Sequence, residues 1–283
     1  MKGSNLLLAT TRCGDTEFRW GERTYIMGVV NLSPDSFSGD GLGGDIGAAL
    51  AQAERMVAEG ADIIDIGGES TRPGTLPLSP EDVDRELELV IPAIERLSRE
   101  LAVPLSIDTY KAEVAGRAVR AGASMINDIW GLKRDPKIAE VAAAAGVPVI
   151  LMANQRDAPP RVGIMAGVIS DLEAGIKLAV KAGVARGNII VDPGIGFGKS
   201  LEQNLEIVNR LAELKALGQP ILLGTSRKSM IGRVLDLPPE QRIEGTAATI
   251  AIGIANGADM VRVHDVREMA RVCRMSDAII RGK

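Results

Sequence analysis

The sequence predicts an α/β fold, a (β/α)8 TIM barrel with a short N-terminal β-hairpin, and three observations predict it. Short apolar, β-branched runs alternate with Ala- and Leu-rich stretches of helical periodicity along the whole chain. Eight such units fit in the 283 residues, the size of one barrel. A glycine recurs between helix and strand at Gly60, Gly122, Gly146 and Gly257, where a left-handed cap ends the helix and turns the chain into the next strand. A doubly wound open sheet built from the same units is the alternative.

Residues 5–20 precede the first unit and are expected to form the hairpin. The first apolar run, 25–30, leads to a helix over 46–59, and the second, 62–66, to a helix over 80–101. Strands at 105–108 and 124–128 are followed by helices at 111–121 and 136–145. Strands at 147–152 and 189–192 are followed by helices at 168–185 and 201–217. The last two units pair strands at 221–224 and 259–263 with helices at 242–256 and 266–281. Nothing resembles a linker, a low-complexity tract or a composition break, so the whole chain reads as one domain.

Composition narrows the function. The net charge of -4 offers no field for a polyanion, and 2% aromatic residues are too few for stacking platforms, so nucleic acid is not the expected partner. No segment approaches the roughly 20 apolar residues of a membrane span, and the N-terminal apolar run Leu6–Ala9 is too short for a signal-peptide core. Two cysteines, Cys13 and Cys273, make no disulfide framework and suggest a reducing cytoplasm. A single histidine, His264, rules out a multi-His metal centre.

Polar residues gather at the C-terminal ends of the strands, where a barrel carries its chemistry. Asn31, the run Gly67–Arg72, Asp108, Asn127 and Asp128, Asp192, the segment from Gly224 to Ser229, and Arg262 with His264 all fall there. Any one of them alone reads more readily as a turn or cap residue; their coincidence at one mouth reverses that reading and points to a site. Asp108, Asn127 and Asp192 suit a flat heterocycle with paired N–H donors, such as a nucleobase or a pterin. Arg72, Arg262, His264 and Asn31 suit a phosphate-bearing group with a hard cation such as Mg²⁺ on an oxygen ligand. PGIGFGKS at 193–200 ends like a phosphate-binding loop, but Pro193 stands where its first glycine belongs. The expectation there is a tight turn, with glycines at close backbone approach and Phe197 facing the ligand. The segment from Thr225 to Ser229 opens a short helix that suits an anion.

With these residues placed, the chain resembles the dihydropteroate synthase family over nearly its full length, Ile26 to Ala278. The resemblance rests on MGVVNLSPDSFS (27–38), DIGGESTRPG (65–74), SIDT (106–109), IND (126–128), DPGIGFGK (192–199), SRKS (226–229) and RVHD (262–265). It implies a pterin-methyl transferase that joins 6-hydroxymethyl-7,8-dihydropterin pyrophosphate to 4-aminobenzoate with Mg²⁺. It further implies that Asp108, Asn127, Asp192 and Lys228 hold the pterin, with Ile129 and Met152 near its faces and Gly224 at its edge. Thr71, Arg72, Arg262 and His264 would hold the pyrophosphate and Asn31 the metal. Arg72, Pro73, Phe197 and Ser229 would form the aminobenzoate pocket, and Arg72, Lys228, Arg262 and His264 would act in catalysis. Relatives are commonly homodimers, with the last two helices as the expected interface. The chain departs from the family pattern at Ala153–Pro160, where a histidine usually follows the Leu-Met pair.

The loops at 32–45 and 67–79, rich in small and polar residues, are expected to be mobile covers over a reactive intermediate. Two alternatives stand beside this reading: a pterin-dependent methyltransferase, which has no use for the SRKS segment and the phosphate set, and a non-catalytic pterin-binding relative, which would lose residues such as Asn31 or Arg72.

Overall fold

The computed structural model describes residues 8–33, 41–69, 83–157 and 163–282. Strands β1 (Thr11–Cys13) and β2 (Thr16–Phe18) form an antiparallel hairpin. The alternating units follow: β3 (Tyr25–Asn31), α1 (Ile46–Glu59), β4 (Ile63–Gly67), α2 (Val83–Glu100), β5 (Leu105–Asp108), α3 (Ala112–Ala121), β6 (Met125–Asp128) and α4 (Lys137–Ala145). They continue with β7 (Val149–Met152), α5 (Ile164–Lys181), β8 (Ile189–Asp192), α6 (Leu201–Asn209), β9 (Leu222–Leu223), α7 (Ser229–Leu235), α8 (Ile243–Ala255), β10 (Met260–Val263) and α9 (Val266–Arg281). The parallel sheet runs β8-β7-β6-β5-β4-β3-β10-β9, and a bridge between Val191 and Ile221 brings its two ends together as a nearly closed barrel. The open-sheet alternative is therefore discarded.

Strand periodicity divides the core. Ile26, Ile64, Ile66, Leu105, Ile107, Ile126, Leu151, Val191, Leu223 and Val261 face outward and pack with the helices in one apolar cluster. The alternate residues Met27, Ile63, Met125, Ile150, Ile190, Leu222 and Met260 face inward and fill the lower barrel. The hairpin closes this lower end. Phe18 lies 4.8 Å from Tyr25 between ring centroids and 5.4 Å from Trp20, and all three belong to the inner cluster. Trp20 Nε1 donates to Thr11 Oγ1, which donates to the Gly187 carbonyl at the foot of β8. With its floor plugged, the barrel interior opens at its C-terminal mouth.

The four punctuating glycines all take positive φ, between 69° and 124°, as the sequence suggests. Three elements differ from expectation. The helix expected at 168–185 begins at Ile164 and ends at Lys181, because Ile164 and Met165 are buried core residues and Gly183 (φ 101°) turns the chain. The helix expected at 201–217 stops at Asn209 and resumes as a 3-10 segment, Leu211–Leu217. Asn256 Nδ2 donates to the carbonyls of Val208 and Asn209, supplying from a distant helix the partners that end α6. The strand expected at 221–224 is reduced to two residues. Much of the loops at 32–45 and 67–79 lies outside the described residues, as does the expectation about their motion.

Candidate active site at the barrel mouth

The inward period that fills the lower barrel with Ile, Met and Leu changes character one layer higher. Two residues beyond Ile63 stands Asp65; beyond Met125, Asn127; beyond Ile150, Met152; beyond Ile190, Asp192; beyond Leu222, Gly224; and beyond Met260, Arg262, then His264. Asp108 is level with Asn127 on the neighbouring strand. Polar groups thus converge because each strand reaches the mouth at the same phase of its alternation.

All of these but Asp65, which is wholly buried beneath them, line one cavity with Ile129, Ile195, Phe197, Ser226 and Lys228, about 490 Å³ of atom-free space including its open mouth. Arg262 is held by two carboxylates, through Nε to Asp65 Oδ2 (2.6 Å) and Nη2 to Asp108 Oδ2 (2.8 Å). Asn127 Nδ2 donates to the same Asp65 oxygen at 2.9 Å. Burial pushes the Asp108 carboxyl up to about 7 against the opposing pull of Arg262, and the nearby Asp65 charge adds to the rise. Asp192 is raised by burial as well, although Gly194 N–H donates to its Oδ1 at 2.6 Å. Lys228 is lowered to about 8, by burial and then by the Arg262 charge. The mouth is a balanced cluster of acids and bases, poised near neutrality.

Apolar surfaces flank the charges. Ile129, Trp130, Met152 and Phe197 form a separate cluster at the mouth, of which Ile129, Met152 and Phe197 line the cavity. Lys228 Nζ lies 4.3 Å from the Phe197 ring centroid and the Arg156 guanidinium 4.6 Å from it. A Cβ added at Gly224 would meet Asp192 Oδ2 at 4.0 Å and Arg262 Cβ at 3.9 Å, so the glycine keeps that corner open. Ser226 Oγ accepts from the His264 backbone N–H (3.2 Å) and lies 2.8 Å from His264 Nδ1. A neutral imidazole accepting the hydroxyl hydrogen at Nδ1 carries its own hydrogen on Nε2, a donor that suits an anion.

The turn after β8 behaves as the glycine reading expects. Gly194, Gly196 and Gly198 all have positive φ, and Lys199 Nζ donates to the carbonyls of Ala153, Gly194 and Phe197 at 2.7, 2.8 and 3.2 Å. This ammonium staples the turn to the 153–157 segment, the point of departure from the family pattern. There Asn154 Nδ2 donates to the Ile129 carbonyl and Gln155 N–H to the Phe197 carbonyl.

The expected residues Asp108, Asn127, Ile129, Met152, Asp192, Phe197, Gly224, Lys228, Arg262 and His264 all line the cavity. Ser229 is exposed in the first turn of the seven-residue α7, next in sequence to the cavity residue Lys228. Asn31 ends β3, and its Oδ1 would lie 3.7 Å from a Cβ on Gly67, which pairs with it across the ladder. Thr71, Arg72 and Pro73 lie outside the described residues. Asp128 has the plain structural role: it accepts from the N–H groups of Trp130 and Leu132 and ties its own loop. Sequence reasoning put Ser226 at the mouth without giving it a role, and gave none to Asp65 or Ile195. A count of two from Ile63 would have placed Asp65 inside the barrel.

The pterin binding enzyme family matches residues 27–264. The chain is 53% identical to the dihydropteroate synthase of Bacillus subtilis over 92% of its length and 90% of that protein. Among solved structures, the dihydropteroate synthase of Clostridium difficile in the presence of pteroic acid superimposes with a TM-score of 0.88 at 50% identity, over 93% of this chain and 99% of that one. The Xanthomonas albilineans dihydropteroate synthase with 4-aminobenzoic acid gives 0.88 at 40% identity, over 96% and 98%.

Proposed function

The chain belongs to the dihydropteroate synthase family, enzymes that condense 6-hydroxymethyl-7,8-dihydropterin pyrophosphate with 4-aminobenzoate to 7,8-dihydropteroate and pyrophosphate, and from that premise we propose how its residues divide the work. The observation that carries the division is the convergence of Asp108, Asn127, Asp192 and Lys228 with the apolar surfaces of Ile129 and Met152 on one cavity, beside Arg262 and His264. The three acceptors and the ammonium read the edge of the pterin ring, and Gly224 leaves room for it. Arg262 and His264, with Thr71 and Arg72, take the pyrophosphate. Phe197 and Ser229, with Arg72 and Pro73, form the aminobenzoate pocket.

The reaction is an alkyl transfer. The C–O bond to pyrophosphate breaks with its electron pair on the leaving oxygen, and the pterin nitrogens spread the positive charge left on the methylene. The arylamine nitrogen then forms the C–N bond and loses a proton. Negative charge grows on pyrophosphate in the transition state, so Arg262 and His264 act where the charge changes. No protein nucleophile is required. Among the described residues no group of three or more His, Cys, Asp or Glu is arranged to hold a metal ion. Asn31 at the end of β3 offers a hard amide oxygen that would suit a Mg²⁺ ion. That ion, when bound, neutralises charge on the leaving group.

The same reading makes the protein a cytoplasmic homodimer. Ile252, Met275, Ile279 and Ile280 are exposed on α8 and α9, which suits an interface, and both cysteines are free thiols. No helix among the described residues is long and apolar enough to cross a membrane.

The test is pyrophosphate release and dihydropteroate formation with and without Mg²⁺, beside Asp108→Asn. Product that needs the metal and falls in the variant supports the division; pterin binding without turnover favours the non-catalytic alternative.

A pH profile checks the charges. Asp108 accepts at both oxygens only when ionised, and Lys228 donates fully only when protonated. The kcat/KM for the dihydropterin substrate is therefore expected to fall below about 7 as Asp108 takes a proton, and above about 8 as Lys228 loses one. Asp108→Asn should remove the acid limb and leave the alkaline one. Stability runs the other way on the acid side: between pH 3.8 and about 7 the folded Asp108 holds a proton that the unfolded chain has lost, so its stabilising contribution disappears as pH rises through that window.

A further inference from the structure

We propose that Asp65 is a positioning residue that sets the hydrogen-bond polarity of the ring pocket, turning Asn127 so that its amide oxygen meets the ligand and fixing the reach of Arg262 toward the leaving group. The inference rests on the assignment of Asp108, Asn127 and Asp192 to the pterin.

Asp65 occupies the middle of β4, inward-facing between Ile63 and Gly67, and is wholly buried. The sheet order places β5 between it and Asn127 on β6, and β3 between it and Arg262 on β10. Its side chain therefore links groups two strands away on either side through one oxygen, Oδ2, at 2.9 Å from Asn127 Nδ2 and 2.6 Å from Arg262 Nε.

A carboxylate accepts and never donates, so the face that Asn127 turns to Asp65 is its NH2. With the NH2 fixed on Asp65, the carbonyl oxygen is turned to the opposite side and presented to a ligand, beside the second N–H of the same group. Asn127 joins Asp108 and Asp192 as a third acceptor, matched to a ring edge of N–H and amino donors. A neutral amide at position 65 would satisfy Asn127 in either orientation and remove this selection. Arg262 is fixed in the same way. With Asp65 on Nε and Asp108 on Nη2, its plane is held between the ring acceptors and the neighbouring His264 side of the cavity.

The second oxygen of Asp65, Oδ1, is buried with no hydrogen-bond partner among the described residues. Leaving a buried acceptor unmatched opposes folding.

The test is calorimetric binding of 6-hydroxymethylpterin to the unaltered chain, Asp65→Asn, Asn127→Ala, the double variant and Asp192→Asn, with steady-state kinetics for both substrates and thermal melting. Asp65→Asn is expected to weaken the pterin about tenfold, raise the dihydropterin KM in proportion and leave the aminobenzoate KM unchanged, with a lower melting temperature because Arg262 loses one of its two buried charge partners. Asn127→Ala should cost less in the Asp65→Asn background than alone, because an amide already free to turn has less to lose. Asp65→Ala is the second variant and carries the same binding expectation. Unchanged pterin binding in Asp65→Asn while Asp192→Asn weakens it would overturn the role of Asp65 alone. Unchanged binding in both would overturn the pterin-pocket assignment and this inference with it. Equal losses for both substrates, or full additivity with Asn127→Ala, would reduce Asp65 to a structural residue.

Discussion

Arg262→Ala is expected to lower kcat/KM on the order of a thousandfold and to destabilise the fold by about 3 kcal/mol, the cost of leaving buried charges without their partner. Both effects come from one position. The guanidinium is only 20% exposed and bridges Asp65, with no exposed side-chain surface, to Asp108 at 12%. Removing it leaves the Asp65 and Asp108 carboxylates without the cation they share, and takes away one of the groups proposed above to meet the growing charge on pyrophosphate. Asp108 relieves its repulsion from Asp65 by holding its proton to still higher pH, since Arg262 is the main influence lowering its pKa. In that state it no longer accepts at that oxygen. Pyrophosphate release at saturating substrate, with a thermal melt on the same preparation, checks both numbers. Arg262→Lys separates them: it keeps the charge and most of the stability but cannot span two carboxylates as a planar fork, so most of the rate loss should persist. A variant that melts low but turns over normally would remove Arg262 from the chemistry.

The parts of this site that the sequence discloses are those at strand ends. Asp108, Asn127 and Asp192 each follow an apolar run and stop it, so a polar residue at the mouth of a barrel is visible from periodicity alone. Asp65 sits inside its run, two residues before the strand ends, and reads there as part of a sequence signature rather than as an inward-facing acid. Asp128 shows the converse. It follows Asn127 and has the same chemistry, but odd and even positions face opposite sides of the strand, and its carboxylate goes to the loop's own N–H groups. The break in the helix after Asn209 was not visible at all, because its cause, Asn256, lies 47 residues further along and meets it only through the fold. Local pattern discloses what local geometry decides; contacts made across the barrel come from the structure.

Gly198→Ala is expected to be the most damaging single methyl group near the site, destabilising by about 3 kcal/mol, of which the left-handed conformation accounts for roughly 1–2 and the close approach for the rest. At φ 71° the new Cβ would stand 2.3 Å from the backbone carbon of Gln155, 2.4 Å from the Arg156 nitrogen and 2.5 Å from the Gln155 oxygen. No side chain can swing away to relieve this contact; one backbone must move off the other. The turn is pinned there by the Gln155 N–H to Phe197 carbonyl bond and by Lys199, so separation withdraws the Phe197 ring from Lys228 and from the aminobenzoate side of the pocket. The aminobenzoate KM should rise about a hundredfold, by the scale on which small misplacements act on a reaction, while pterin binding falls less. Gly146→Ala is the control. Its φ is 69°, nearly the same, but nothing lies within 4 Å of the added atom, so it should cost only the conformational part, roughly 1–2 kcal/mol, and leave both KM values alone. Equal melting losses in the two variants would mean that backbone conformation alone requires the glycine. A larger loss at 198, accompanied by the aminobenzoate defect, ties the glycine to the contact between the turn and the Gln155–Arg156 backbone.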